Sequence, residues 1–172
     1  MTKYDFNKII DRRNTDCLKC DFAIKRGRPA DVLPFWVADM DFPIAREIQE
    51  ALVERCQHAI FGYSESTEAY FHTVRDWYTK HFNWSPKAEW LTKTLGIVFA
   101  LAMAVKAITQ NGEGVLVQQP VYYPFSEVIE DNERKLINSP LILKNGHYEM
   151  DFADLEEKIV ANNVKLMLLC SP

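Results

Sequence analysis

The chain has 172 residues, of which 48% are hydrophobic and 26% charged, and its formal net charge is −4. This balance is typical of a globular protein and excludes collagen, low-complexity polymers and intrinsic disorder. The weak negative charge gives no general attraction to nucleic acid or to an anionic membrane, so neither is expected as a partner. No apolar run approaches the roughly 20 residues of a membrane helix, and the charged N-terminus does not resemble a signal peptide.

The four cysteines are too few and too unevenly spaced for a disulfide framework, which favours a cytoplasmic location. Cys17 and Cys20 form a Cys-x-x-Cys pair. No second pair of cysteines or histidines completes a zinc site, and no strand and helix around the pair indicate a redox motif. We interpret both as ordinary thiols and expect no metal site.

The first half of the chain predicts an arm followed by two helices. Residues 1–35 show no sustained periodicity and are interpreted as an irregular N-terminal arm. Residues 44–58 carry apolar side chains on one helical face, which predicts a helix. We expect a turn at 61–64 and then a second helix to about residue 81, capped by Ser66 or Thr67.

Residues 90–119 are the most informative stretch. They predict a short strand at 90–94, a break at Gly96, a helix over 97–109 that is apolar on all sides, and a buried strand at 115–117. Such a helix is expected to be buried on most faces, and the pattern is typical of a βαβ unit.

The last third of the chain continues the alternation of strands and helices. We predict a helix over 122–130, strands at 134–137 and 141–143, a turn at Asn145-Gly146, a helix from Asp151 to Val160 and a buried strand at 164–169. This order indicates an α/β layered fold.

Two places in this pattern are candidate binding sites. At Gly96 a glycine turn enters a helix, and the free backbone N–H groups of the first helical turn form an anion site. The alternative is an ordinary strand–helix turn that binds nothing. The aromatic segment 119–125 follows a buried strand, at the end of a parallel sheet where ligands bind. A ring there can stack on a planar cofactor, and a packed tyrosine corner is the alternative.

Five motifs occur in order along nearly the whole chain: Trp36-Val-Ala-Asp-Met-Asp-Phe42, Phe61-Gly-Tyr63, Thr94-Leu-Gly-Ile-Val98, Gln119-Pro-Val-Tyr-Tyr-Pro-Phe125 and Leu169-Cys-Ser-Pro172. Together they resemble the N-terminal part of a fold-type I pyridoxal 5'-phosphate enzyme of the class I/II aminotransferase superfamily. The chain is most similar to the MalY/PatB-type cystathionine β-lyase (C–S lyase) branch. The resemblance implies a three-layer α/β/α fold of the aspartate aminotransferase type. It also implies that residues 1–45 are an N-terminal arm and small-domain segment, and that 46–172 are the first part of an incomplete cofactor-binding large domain.

The resemblance implies pyridoxal 5'-phosphate as the cofactor and assigns residues to it. Gly96, Ile97 and Val98 match the turn whose backbone N–H groups hold the cofactor phosphate. Tyr122 matches the aromatic residue that stacks on the pyridine ring. Tyr63 matches a tyrosine that reaches the phosphate of a neighbouring subunit, which implies a homodimer.

The resemblance also implies a substrate and a reaction. Ala38 matches a backbone position near the substrate carboxylate, and the branch implies β-elimination from a sulfur-containing amino acid to pyruvate, ammonia and a thiol. None of the twelve lysines occupies the family's Schiff-base position, which lies beyond Pro172. We therefore expect no catalytic residue in this chain, and a truncated chain that is inactive alone. Transamination and a non-catalytic binding or regulatory role remain alternatives.

Overall fold

The computed structural model describes residues 4–35 and 38–171. The chain divides into two compact units, residues 1–65 and 66–172. Trp36 and Val37 of the first motif and Pro172 of the last motif lie outside the described residues. The division expected at residue 45 concerns the domains of a complete enzyme and stays a prediction.

The first unit is mostly irregular chain with one long helix. Its elements are the single turn α1 (Leu18–Asp21), a 3-10 turn (Ile24–Arg26) and the helix α2 (Arg46–His58). The carboxylate of Asp21 accepts hydrogen bonds of 3.0–3.1 Å from the backbone N–H groups of Asn14, Thr15 and Cys17. The helix predicted over 44–58 is confirmed, although it begins only after Ala45, whose backbone is not helical.

The second unit alternates between helices and strands. In chain order it contains α3 (Glu68–Phe82), a 3-10 turn (Ala88–Trp90), α4 (Ile97–Ile108), β1 (Gly114–Val117), α5 (Pro124–Asp131), β2 (Lys135–Asn138), β3 (Ile142–Lys144), β4 (His147–Glu149), α6 (Phe152–Ala161) and β5 (Leu166–Met167). Within the described residues no helix combines the length and apolar character needed to cross a membrane.

The central sheet consists of parallel strands in the order β2–β1–β5. β1 pairs with β2 from Gly114 opposite Lys135 to Val117 opposite Asn138. On its other side it pairs with the two residues of β5. Every residue of β1 is buried, as expected for a parallel strand with both faces covered. The predicted α/β architecture is therefore confirmed, and β5 lies at an edge of the described sheet.

The core lies between this sheet and the helices α4 and α5. Side chains alternate along a strand, so Val115 and Val117 point to the same face of β1. There they join Val105 of α4 and Ile129 of α5 in one apolar cluster. Leu116, which points to the opposite face, is also fully buried.

Two local predictions are confirmed in detail by the backbone. β3 and β4 form an antiparallel hairpin, and the turn residues Asn145 and Gly146 have φ values of 50° and 81°. Positive φ at both positions is the type I′ geometry that Asn-Gly favours. At the start of α6 the carboxylate of Asp151 accepts a hydrogen bond from the Asp154 N–H at 3.2 Å, which satisfies a backbone donor that the helix leaves unpaired.

The strand predicted at 90–94 is wrong. Residues 88–90 form a single 3-10 turn, and 91–95 are irregular. A strand needs a neighbour to bond its backbone, and no described strand pairs with these residues. The βαβ unit is consequently β1–α5–β2, one element further along the chain than expected.

Two further predictions, on the burial of α4 and on the turn at 61–64, are wrong. α4 is not buried on most faces: Val105 is its one buried residue, and Ile97, Phe99 and Ile108 are exposed. The described residues cover this helix on one side, through the sheet and α5. The turn expected at 61–64 is part of an irregular connection over 59–67. The second helix is present as α3, and Thr67 occupies its cap position without a side-chain hydrogen bond to the helix.

Candidate functional site

The helix α4 begins at a glycine whose backbone conformation other residues rarely adopt. Gly96 has a φ of +121° and a ψ of 165°, a region essentially restricted to glycine. Its carbonyl oxygen accepts the first helical hydrogen bond from the Ala100 N–H at 3.1 Å. The Thr94 hydroxyl donates to the same oxygen at 3.1 Å. The glycine therefore sets the direction in which the helix starts.

The first turn of α4 is open. Ile97 is 72% exposed, and Val98 is exposed as well. The first backbone N–H groups of a helix have no partner within it, and no side chain in the described part of the chain caps them. These groups carry the partial positive charge of the helix end, so the arrangement fits a phosphate or another anion.

A groove of about 500 Å³ lies at the carboxyl ends of β1 and β5. The segment after β1 contributes Gln118, Pro120 and Tyr122, and the segment after β5 contributes Leu169 and Cys170. Ligands of parallel α/β sheets bind at this end of the strands. The groove is thus the natural place in the second unit for a planar ligand.

Tyr122 combines fixed packing with an accessible ring. It meets Tyr123 at a ring-centroid distance of 5.3 Å and Phe125 at 6.4 Å, both in edge-on geometry. Such contacts orient an aromatic ring. Tyr122 nevertheless remains 54% exposed where it lines the groove, so the ring can stack on a ligand.

Gln118 was not among the residues that the sequence pointed to. Its side chain lines the same groove and the residue is only 5% exposed. Neither its amide oxygen nor its amide nitrogen has a hydrogen-bond partner in the described part of the chain. An unpaired buried polar group costs about 1–3 kcal/mol. The available signal was a polar residue directly after a buried strand, at the ligand-binding end of the sheet.

The groove and the start of α4 fit the cofactor that the resemblance implies. A pyridine ring with polar substituents needs an aromatic surface and hydrogen-bonding groups, which Tyr122 and Gln118 offer. A phosphate needs free backbone N–H groups, which α4 offers. Leu101 of α4 and Val121, the residue before Tyr122, pack against the same apolar cluster. The assignment of individual residues to the cofactor stays a prediction.

Tyr63 and Ala38 belong to the first unit and lie in segments without regular secondary structure. Tyr63 is fully exposed, so its side chain is accessible to another molecule. Ala38 is exposed and directly precedes a segment that is bound by Arg12 and Lys19. The roles expected for both residues stay predictions.

The two thiols of the Cys-x-x-Cys pair lie close together. Cys17 is buried and Cys20 is partly buried, and both are free. Burial raises the pKa of the Cys20 thiol, and a hydrogen bond with Cys17 raises it further. A raised pKa disfavours the reactive thiolate, in agreement with the interpretation of ordinary thiols.

Comparison with known proteins now decides the family. The sequence model of the family "Aminotransferase class I and II" matches residues 39–172. The chain belongs to this family. Cystathionine beta-lyase PatB of Bacillus subtilis (strain 168) is 41% identical over 168 residues, which are 98% of this chain and 43% of PatB. Protein MalY of Escherichia coli (strain K12) is 31% identical over 170 residues, 98% of this chain and 44% of MalY.

A solved structure agrees with this assignment. Cystalysin from Treponema denticola, whose crystal structure contains a pyridoxal 5'-phosphate cofactor, superposes with a TM-score of 0.87 and 37% identity. The match covers 98% of this chain and 43% of cystalysin. The chain therefore spans less than half the length of the relatives it matches. The aminotransferase fold and the resemblance to the C–S lyase branch are confirmed.

Proposed function

We propose that the complete protein is a pyridoxal 5'-phosphate-dependent C–S β-lyase of amino-acid metabolism, with cystathionine or a cysteine-type amino acid as substrate. The observation that carries the proposal is the 41% identity to a cystathionine β-lyase along 98% of the chain. We further propose a cytoplasmic homodimer. The exposed Tyr63, available to a second subunit, supports the dimer, and the free cysteines support the location.

The reaction breaks two bonds of the substrate, Cα–H and Cβ–S. The sulfur leaves with the electron pair of its bond and takes up a proton to become the thiol. Water then converts the remaining enamine into pyruvate and ammonia. The cofactor, when bound, supplies the electron sink for the pair left at Cα.

The residues of this chain bind the cofactor and orient it. The N–H groups of Ile97 and Val98 hold the phosphate at the start of α4, where the helix dipole favours negative charge. Tyr122 offers its ring for stacking, and the amide of Gln118 offers a donor and an acceptor to the polar edge of the ligand. None of these groups moves the Cα proton.

Transamination is the second candidate function, and the family description itself favours it. Both reactions begin with loss of the Cα proton and differ in the fate of the substrate afterwards. Elimination expels the sulfur, whereas transamination keeps the carbon skeleton and passes the amino group to a keto acid.

The test uses the complete protein with added pyridoxal 5'-phosphate and cystathionine. We expect equal amounts of pyruvate, ammonia and thiol without any keto-acid acceptor. A keto acid that retains its sulfur and forms only with an acceptor would indicate a transaminase. Cofactor binding with neither product would indicate a non-catalytic protein.

The isolated chain of residues 1–172 is tested beside the complete protein in the same assays. We expect weak, reversible cofactor binding, no lysine labelled after borohydride reduction and no pyruvate. Stoichiometric labelling of one lysine together with turnover would contradict the expectation that residues 1–172 bind the cofactor but do not catalyse the reaction.

A further inference from the structure

The chain contains two Asn-Gly pairs, Asn111-Gly112 and Asn145-Gly146, and all four residues are exposed. An asparagine before a glycine can lose its side-chain amide, because the small glycine lets its own backbone nitrogen approach the Cγ atom of the asparagine. The two pairs share this dipeptide and their exposure. A difference in their reactivity therefore has to come from the contacts that each pair makes.

Hydrogen bonds hold the reacting groups of Asn111-Gly112. The carboxylate of Glu133 accepts a hydrogen bond from the side-chain amide of Asn111. The backbone carbonyl oxygen of Glu133 accepts another from the Gly112 N–H at 2.8 Å. The Arg134 guanidinium donates to the amide oxygen of Asn111 at 2.7 Å. These bonds have to break before the nitrogen of Gly112 can reach Cγ of Asn111.

Asn145-Gly146 lacks such contacts. The two residues form the turn between β3 and β4, with φ values of 50° and 81°. In the described part of the chain, neither the side chain of Asn145 nor the backbone N–H of Gly146 has a hydrogen-bond partner. Only the conformation of the turn restrains this pair.

The hairpin that carries the turn is small. β3 and β4 have three residues each, and among the described strands they pair only with each other. All three residues of β4 are exposed. A two-stranded hairpin is at best marginally stable in water, so this hairpin opens locally far more often than the core does. Opening frees Asn145 and Gly146 to adopt the reactive conformation.

We propose that Asn145 is a site of spontaneous deamidation that loosens the β3–β4 hairpin, whereas Asn111 is protected. The backbone nitrogen of Gly146 forms a bond to Cγ of Asn145, and the bond from Cγ to Nδ2 breaks. The amide nitrogen leaves as ammonia with the proton of the Gly146 N–H. Water then opens the resulting succinimide ring at either carbonyl carbon, which gives aspartate or isoaspartate at position 145. The reaction consumes one water, releases one ammonia and needs no oxidant.

The isoaspartate product changes the geometry of the hairpin. It adds a carbon atom to the main chain of a two-residue turn, and the register of a hairpin depends on the length of its turn. Tyr148, which lies opposite Leu143 in the hairpin, and Met150 line the groove at the carboxyl ends of β1 and β5. Loss of pairing therefore loosens one wall of this groove. The inference goes beyond the proposed function and needs neither cofactor nor substrate.

The first measurement follows deamidation of the complete protein during incubation in mildly alkaline buffer. Peptide mass spectrometry resolves the two sites, and an isoaspartate-specific methyltransferase identifies the product. We expect Asn145 to react at least about tenfold faster than Asn111, the scale of one hydrogen bond to a charged group. In protein unfolded by guanidinium chloride the difference should largely disappear, because the contacts of Asn111 are then lost.

The second measurement uses Asn145→Gly as the matched control. Gly-Gly fits the same type I′ turn and has no amide to lose. Hydrogen exchange of a peptide covering residues 142–150 is compared before and after the incubation. We expect exchange to accelerate in the incubated wild type and to stay unchanged in incubated Asn145→Gly.

Three results would overturn the inference. Equal rates at the two sites in the folded protein would show that the contacts of Asn111 do not protect it. A rate difference that persists in the unfolded protein would assign it to neighbouring residues in the sequence. Isoaspartate at position 145 with unchanged exchange would show that the hairpin does not loosen. The proposed function is tested separately by the release of pyruvate and thiol, so each proposal can fail without the other.

Discussion

Replacing Gly96 tests the effect of backbone strain without the effect of steric clashes. A Cβ added there meets no atom of the described residues within 4 Å, so the cost of Gly96→Ala comes from its φ of +121°. We expect a loss of about 1–3 kcal/mol in the free energy of unfolding, measured by urea denaturation, and weaker binding of the cofactor phosphate. Gly62→Ala is the control, since its surroundings are equally open and its φ lies outside the strained range. Equal losses in the free energy of unfolding at Gly96 and Gly62 would show that the positive φ of Gly96 is not the cause.

Tyr122 is expected to act through its ring and not through its hydroxyl. Tyr122→Ala should weaken cofactor binding about 2- to 10-fold, because an aromatic stacking contact contributes about 0.5–1.5 kcal/mol. Tyr122→Phe should bind nearly as well as the wild type. Tyr70→Ala removes an exposed ring on α3 and should have no effect. Fluorescence titration measures all three, and a Phe variant as weak as the Ala variant would assign the contribution to the hydroxyl.

At the scale of elements, Asp154 links α6 to the end of β2. The Ser139 hydroxyl donates to its carboxylate at 2.7 Å, and the Lys158 ammonium lies at 3.0 Å. Both contacts, that of Ser139 first, lower the pKa of Asp154 below its ordinary value of 3.8. The folded state thus binds this proton less readily than the unfolded state does. The stabilisation is present above pH 3.8 and is lost as the pH falls through the lower, folded pKa.

Replacing Asp154 should change how the free energy of unfolding depends on pH. In Asp154→Asn the free energy of unfolding should be lower near neutral pH and should fall less steeply below about pH 4 than in the wild type. Urea denaturation at a series of pH values measures this slope. Asp76→Asn, which changes an exposed carboxylate on α3, should retain the wild-type slope. If Asp154→Asn also retains it, the contacts with Ser139 and Lys158 do not stabilise the fold.

At the scale of the whole molecule, large apolar side chains remain exposed on several helices. Examples are Ile48 and Leu52 on α2, Trp77 and Phe82 on α3, and Ile97 on α4. β5 also presents a free backbone edge in the described sheet. Exposed apolar patches and free strand edges favour association with other chains. We expect residues 1–172 alone to self-associate in sedimentation experiments and to bind a hydrophobic dye. A monodisperse monomer with low dye binding would contradict this.

Strong local signals allowed several elements to be predicted from the sequence. Asn145-Gly146 favours a type I′ hairpin in almost any context, and Asp151 caps the helix that it precedes. The candidate site was predictable in part for the same reason, because a glycine before an apolar helix and an aromatic cluster after a buried strand are local patterns. The resemblance was required to connect these patterns with a cofactor.

The sequence by itself determined the order of the helices, the turn at Asn145-Gly146 and the family to which the chain belongs, since these depend on neighbouring residues and on motifs. Only the tertiary structure decided that 90–94 is not a strand, that α4 is covered on one side, that Gln118 is buried with no hydrogen-bond partner among the described residues, and that Lys19 is buried against Asp41. Each of these depends on which distant segment lies beside the residue. Strand pairing, burial and ion pairing are formed by such segments, so local sequence carries little information about them.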